Sequence, residues 1–339
     1  MTARLATRIG ALALPNPLIC GSGEPVMTAS GIRAALAGGA AGVIAKSVNE
    51  RPEGAAQLDR ADYAFLGDNL LCRSGLAPYD PAEWFATLAE IDREAAASGR
   101  FVAASLVLAS HDGAVRIAGL AQGAGLRVFE LNVGAPHAGE AAAGAIAQET
   151  DPAALGALVR AVRAVTPGMQ LWVKLTGLSS NLPALTVAAR EAGADAVGMM
   201  GRFMALMPDL DTMAPLLGTA GAYGGPWALP IVCRFLADSR RAAGADFPLI
   251  GTNGVRDGEG LARMALAGAS AVEVLSVVMA EGFGALARIL SELDALLAAR
   301  SLAFAELIGR AADARQSYAA QAPLNGRWRA FVPPQTLAP

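Results

Sequence analysis

Two lysines and an amide, Lys46, Lys174 and Asn132, each stand at the end of a short apolar run of the sequence. An ammonium group surrounded by apolar neighbours loses its hydration, so a lysine in such a place calls for an anion or an electron-rich ligand. Other polar residues follow apolar runs in the same way. They are Gly21-Ser22-Gly23-Glu24, Ser47, Thr176, Gly251-Thr252-Asn253-Gly254 and Ser276. Taken singly, most have plainer readings: a Gly-Ser-Gly is commonly only a turn, and the Gly-Thr-Asn-Gly step can simply cap a helix. Brought to one mouth they would make a site. Backbone N–H groups of the Gly251-Thr252-Asn253-Gly254 turn, with the Ser276 hydroxyl, would hold a phosphate. Lys174 would set positive charge against a ring whose reduced form is anionic. That combination points to flavin mononucleotide (FMN).

Such a site needs a scaffold that lines up strand ends. Eight apolar runs (18–21, 42–46, 101–108, 128–133, 170–175, 196–200, 248–251 and 271–275) alternate with eight helix-like stretches (28–37, 81–97, 114–123, 152–165, 182–192, 229–243, 258–267 and 282–298). Alternation of this kind means parallel strands joined by helical crossovers. Eight such units predict an α/β chain closed as a (β/α)8 TIM barrel, with its chemistry at the carboxyl ends of the strands. Residues 5–14, alternating about Gly10, read as a hairpin under the barrel. The stretch 49–81 is longer than the usual βα loop of about 2–6 residues and is expected to form a lid or insertion after strand 2. Residues 1–322 are expected to form a single domain, followed by a Pro-rich extended tail over 323–339 that would wrap a neighbour.

With 339 residues, 54% of them hydrophobic and 5% aromatic, the chain can bury a large core but offers few stacking platforms for single-stranded nucleic acid. The net charge of −3 is spread without blocks, which argues against nucleic acid and against a polybasic membrane patch. Cys20, Cys72 and Cys233 are separated and odd in number, and His111 and His137 are the only histidines. No disulfide framework or structural metal is expected from them. The amino terminus lacks a signal-peptide core and no run of about 18 apolar residues occurs, so a cytoplasmic location is expected.

The ordered set Asn16-Pro17, Lys46-Ser47, Glu130-Leu131-Asn132, Val173-Lys174-Leu175-Thr176, Ile250-Gly251-Thr252-Asn253-Gly254-Val255 and Leu266-Ala267-Gly268-Ala269-Ser270-Ala271-Val272 resembles the dihydroorotate dehydrogenase family, over about residues 14–309. The likeness is to its soluble, class 1 members. It implies FMN, with Ser22, Lys46, Asn132 and Lys174 at the isoalloxazine and ribityl parts and Gly21 and Ser47 beside them. Thr252, Asn253, Gly254 and Ser276 would surround the phosphate, with Gly251 in the same turn and Gly225 allowing a close backbone approach. It also implies hydride transfer between a small-molecule substrate and flavin N5, a side chain that moves a proton, and a homodimer.

The chain departs from the family where the proton is handled. The family's loop after strand four carries Cys or Ser as base, whereas Asn132-Val133-Gly134-Ala135-Pro136-His137 offers a methyl group. Cys72, His137 and the Met199-Met200-Gly201-Arg202 stretch stand where the family has substrate-binding amides. Each unpaired polar group left by such a loss costs about 1–3 kcal/mol, so orotate should fit badly. Leu275, where the family has Gly, is expected to narrow the phosphate site. His137, Cys72 and Lys46 are the candidate catalytic residues. His137 can titrate near neutrality or be a plain loop imidazole, and Cys72 can be activated by Arg73 or merely pack. Glu24 is expected to pair with Lys46 or Arg73, and Arg73 and Arg202 would take an anionic group, with Ser74, Gly75 and Leu76 on the substrate side. The reading is an FMN-dependent oxidoreductase acting on a small molecule, such as a cyclic amide or an anion, other than dihydroorotate. A dihydroorotate or dihydropyrimidine dehydrogenase with a relocated base, a flavin-dependent oxidase or monooxygenase, and a non-catalytic flavin-binding barrel stay open.

Overall fold

The apolar runs become strands that pair in parallel with their neighbours in sequence. The computed structural model describes residues 3–50, 56–107, 109–134, 150–177 and 179–337. Its barrel strands are β1 (Leu18–Cys20), β2 (Gly42–Ile44), β3 (Phe101–Val107), β4 (Val128–Asn132), β5 (Gln170–Lys174), β6 (Ala196–Met199), β7 (Leu249–Thr252) and β8 (Ala269–Val274), and β8 closes on β1. The helices that follow them in turn are α1 (Ala29–Ala37), α2 (Pro81–Ala96), α3 (His111–Ala124), α4 (Pro152–Val165), α5 (Leu182–Glu191), α6 (Leu229–Ala243), α7 (Gly258–Leu266) and α8 (Gly284–Ala298). The fold is the (β/α)8 barrel that the alternation predicts.

Period-two alternation sorts the strand residues into two faces. Ile19, Ile44, Ala103, Val128, Trp172, Ala196, Ile250 and Ala271 form one apolar cluster inside the barrel, joined by Ile9 and Leu14 of the hairpin Thr7–Ile9 and Leu12–Leu14. Thr7 Oγ1 donates to Ser270 O at 2.7 Å near the start of β8, so the hairpin plugs the amino end. The other parity, Val43, Val102, Phe129 and Val173 among it, packs against the helices. Two positions further along, each strand turns inward again, and the residues change character to Gly21, Lys46, Ser105, Glu130, Lys174, Gly198, Thr252 and Glu273. A polar layer therefore lies over an apolar one.

The loops that leave this layer are held by helix caps. Thr28, Asp80, Ser110, Asp151 and Asp257 accept first-turn backbone N–H groups, contributing about 1 kcal/mol each. The segment 49–81 carries a hairpin, Asp62–Leu66 with Asn69–Arg73. That hairpin is half of a four-stranded antiparallel sheet whose other half, Phe203–Ala205 and Gly221–Gly224, lies between β6 and α6. Sequence reading gave 203–224 no strands, because those segments are short and one is Gly-rich, which blurs the period-two signal. Tyr318, Leu324, Trp328 and Phe331 of the carboxyl-terminal segment are exposed. Among the described residues, no helix is long and apolar enough to cross a membrane.

Candidate active site

The polar layer opens into a cavity at the carboxyl ends of the strands. Gly21, Ser22, Lys46, Ser47, Asn132 and Lys174 line it from β1, β2, β4 and β5, and Thr252, Asn253, Gly254 and Ser276 line it from β7 and β8. Ser74, Gly75, Leu76 and Arg202 complete the lining from the insertion and the loop after β6. Gly251 is turned away: a Cβ there would meet Met264 Sδ of α7 at 2.5 Å, so this glycine serves helix packing. Gly225 lies one residue beyond the lining Gly224. Ala135 and His137 lie outside the described residues.

The turn after β7 is shaped by backbone conformation. Asn253 and Gly254 both have positive φ, 74° and 113°, and a Cβ on Gly254 would approach Leu229 N to 2.7 Å. Asn253 Oδ1 accepts the Gly225 N–H at 3.0 Å, while its Nδ2 is buried without a hydrogen-bond partner among the described residues. A buried donor of this kind costs free energy until a ligand acceptor meets it. With Thr252 and the Ser276 hydroxyl nearby, the turn fits an anionic group such as a phosphate. Leu275 also lines the cavity, with its methyl groups against Gly23, so it occupies space that a glycine would leave open.

Both strand-end lysines reach the cavity, but neither ammonium is free. Lys46 Nζ pairs with Glu24 Oε1 at 2.7 Å, as expected for Glu24. Burial pulls the Lys46 pKa down against the Glu24 charge. For Glu24 burial pushes upward, and the Lys46 charge with hydrogen bonds from Lys46 and Tyr63 outweighs it, holding the carboxyl below its usual range. Lys174 sits between Glu130, 3.4 Å away, and Glu273. Burial lowers its pKa, and the two carboxylates more than reverse this, leaving it raised. Carboxylates within the chain thus supply the anions that the lysines demand. Lysine placement alone therefore does not call for a ligand.

Cys72 and Arg73 are neighbours on one strand and point to opposite faces. Cys72 is buried and its Sγ contacts Arg202, whereas Arg73 faces Asp62 at 3.7 Å. The cation beside the thiol comes from the loop after β6, and Arg73 does not line the cavity. His111 opens α3, where Ser110 caps the helix.

Beneath the lining runs a chain of polar contacts. Ser22 Oγ meets Ser47 Oγ at 3.0 Å, Ser47 Oγ meets Ser105 Oγ at 2.8 Å, and Ser105 Oγ donates to Glu130 Oε1 at 2.8 Å. Glu273 is also a cavity residue, with Oε1 buried and unpartnered among the described residues. Burial raises its pKa to about 7, with the Lys174 charge opposing and the Glu130 charge adding. Sequence reading gave no role to Ser105 or Glu273 and none to Glu130 beyond its motif. The available signal was parity, since Glu130 and Glu273 interrupt apolar strands at inward positions, where an ionisable group requires a partner.

Comparison with known proteins accords with this geometry. The family described as Dihydroorotate dehydrogenase matches residues 4–297. The catalytic subunit of dihydroorotate dehydrogenase B (NAD(+)) from Methanocella arvoryzae is 29% identical over 91% of this chain and 98% of its own. The corresponding subunit from Pyrococcus furiosus is 33% identical over 79% and 85%. Dihydroorotate dehydrogenase A (fumarate) from Limosilactobacillus reuteri is 33% identical over 44% and 48%. With the barrel closed, the strand-end polar groups gathered in one cavity and the match spanning most of its length, the chain belongs to the dihydroorotate dehydrogenase family of oxidoreductases.

Proposed function

We infer that this chain is an FMN-dependent oxidoreductase that moves a hydride between flavin N5 and a small molecule other than dihydroorotate. The observation that carries the cofactor is the unspent Asn253 Nδ2 donor beside the Gly254 turn and Ser276. FMN, when bound, supplies a two-electron acceptor and donor. Thr252, Asn253, Gly254 and Ser276 would hold its phosphate, and Ser22, Lys46 and Asn132 its ribityl and ring edge. Lys174, kept cationic by its two carboxylates, offers ammonium N–H donors at the cavity floor, with its charge balanced by Glu130 and Glu273. On the substrate side Arg202 is the cation lining the cavity, and Leu70, Leu76 and Met200 belong to the same lining. That lining suits a partly apolar anion, drawn in by the guanidinium and shielded from water by the Ser74-Gly75-Leu76 segment. We place the protein in the cytoplasm, as a homodimer.

The purified chain should show a flavin absorption spectrum as isolated or after incubation with FMN. It should turn over dihydroorotate far more slowly than the roughly 1–1000 per second typical of enzymes. A protein that takes up no FMN defeats the cofactor assignment, and rapid dihydroorotate oxidation defeats the substrate assignment. A relocated base is the second reading, favoured by the contact of the buried Cys72 thiol with Arg202, which itself lines the cavity. On it, Cys72→Ala or His137→Ala should cost about 100- to 10000-fold in rate.

A further inference from the structure

Glu130, Lys174 and Glu273 bring two carboxyl groups and one ammonium into the barrel centre, with side-chain exposures of 2%, 12% and 1%. With every group ionised the cluster has a net charge of −1, which is costly at such depth unless a proton joins it. Glu273 Oε1 can carry that proton: it is buried with no partner counted among the described residues, and the Glu130 carboxyl stands within hydrogen-bonding reach of the Glu273 side chain. The groups facing the two carboxyls from neighbouring strands are Lys174 of β5 and Ser105 of β3, and the Cys20 thiol of β1, on the helix-facing side, lies near enough to sense the Glu273 charge. Burial, and then the Glu273 charge, raise that thiol to about 12. The thiol is no competitor for a proton near neutrality.

The hydroxyl chain has a direction. Each serine owns one O–H, and that of Ser105 is given to Glu130. Ser47 must then donate to Ser105, and Ser22 to Ser47. Ser22 Oγ also accepts the Ser47 N–H at 3.1 Å and lines the cavity, so one lone pair is left to face the cavity. A proton arriving there passes along the row as each hydroxyl hands on its own hydrogen. O–H bonds form at Ser22, Ser47, Ser105 and Glu130 as the previous ones break, and Glu130 then gives up its O–H hydrogen to the Glu273 carboxylate, with which it shares a side-chain hydrogen bond; no electrons are exchanged.

We propose that the Glu130–Lys174–Glu273 cluster is a proton store, filled from the cavity through the Ser22–Ser47–Ser105 hydroxyls, and that it takes the proton the methyl group of Ala135 cannot accept. The source of that proton rests on the redox reading above; the store and its path are properties of the chain itself. They are tested without cofactor or substrate by infrared spectroscopy of the full-length protein. A protonated-carboxyl band should appear as the pH is lowered from about 9 to about 6, well above the range where ordinary carboxylates titrate. Glu273→Gln should abolish it, and Glu130→Gln should displace its midpoint. In heavy water the band should shift rapidly in the wild type, about 100-fold more slowly in Ser105→Ala, and again rapidly in Ser105→Thr. Absence of a titrating band, or its persistence in Glu273→Gln, overturns the store. Exchange in Ser105→Ala as fast as in the wild type overturns the path. Failure to bind FMN would leave these outcomes unchanged, so the two readings fail separately.

Discussion

At the scale of single residues, the buried charges set the stability of the mouth. Glu24→Gln removes the anion from Lys46, whose side chain is only 6% exposed. The variant should lose about 1–3 kcal/mol in urea unfolding at an unchanged slope. Glu273 and Glu24 act with opposite signs as the pH changes. Glu273 holds its proton to about pH 7 when folded, against about 4.3 when unfolded. Its contribution is complete below about pH 4.3 and is lost as the pH rises toward 7. Glu24, held below its usual range, contributes above about pH 4.3 and loses that contribution in acid. Urea midpoints should therefore show Glu273→Gln gaining on the wild type between about pH 5 and 7 and keeping a constant margin above. Parallel curves would remove the buried titration. Lys46 and Lys174 were legible as strand-end groups because their runs are apolar up to them. Their partners were less so: Glu24 lies 22 residues from Lys46, and Glu273 lies 99 from Lys174 on a strand that is not paired with β5 and reaches it only across the barrel interior.

Among the elements, the turn joining β7 to α7 bears most on cofactor binding. Gly254→Ala places a side chain at φ 113° and 2.7 Å from Leu229 N, so the backbone must move. The cost should be about 1–3 kcal/mol, and the stabilisation conferred by FMN in thermal melting should largely disappear. A variant with wild-type melting and FMN response would show that the turn is not the phosphate cradle. All eight strands were legible because each pairs a short β-rich run with an amphipathic helix. The sheet shared by 62–73 and 203–224 was not, since antiparallel pairing between distant loops leaves no local period. Arg202, carried by that second segment, gained its place beside Cys72 only through this sheet.

For the whole molecule, the carboxyl-terminal segment bears on assembly. Tyr318, Phe331 and Trp328 are 97%, 77% and 57% exposed, more apolar surface than a short tail normally shows to water. If these residues bind a second copy, the double substitution Trp328→Ser with Phe331→Ser should convert a dimer to a monomer in light scattering and leave FMN binding intact. A variant that stays dimeric would move the interface elsewhere. The account as a whole stands on one cofactor in one cavity. Titrating flavin-free protein with FMN, and following the quenching of flavin fluorescence, tests it most directly. Micromolar or tighter binding is expected, weakened about tenfold or more by Asn253→Ala, as loss of one well-placed hydrogen bond implies. No quenching by the wild type, or equal affinity in Asn253→Ala, would contradict it.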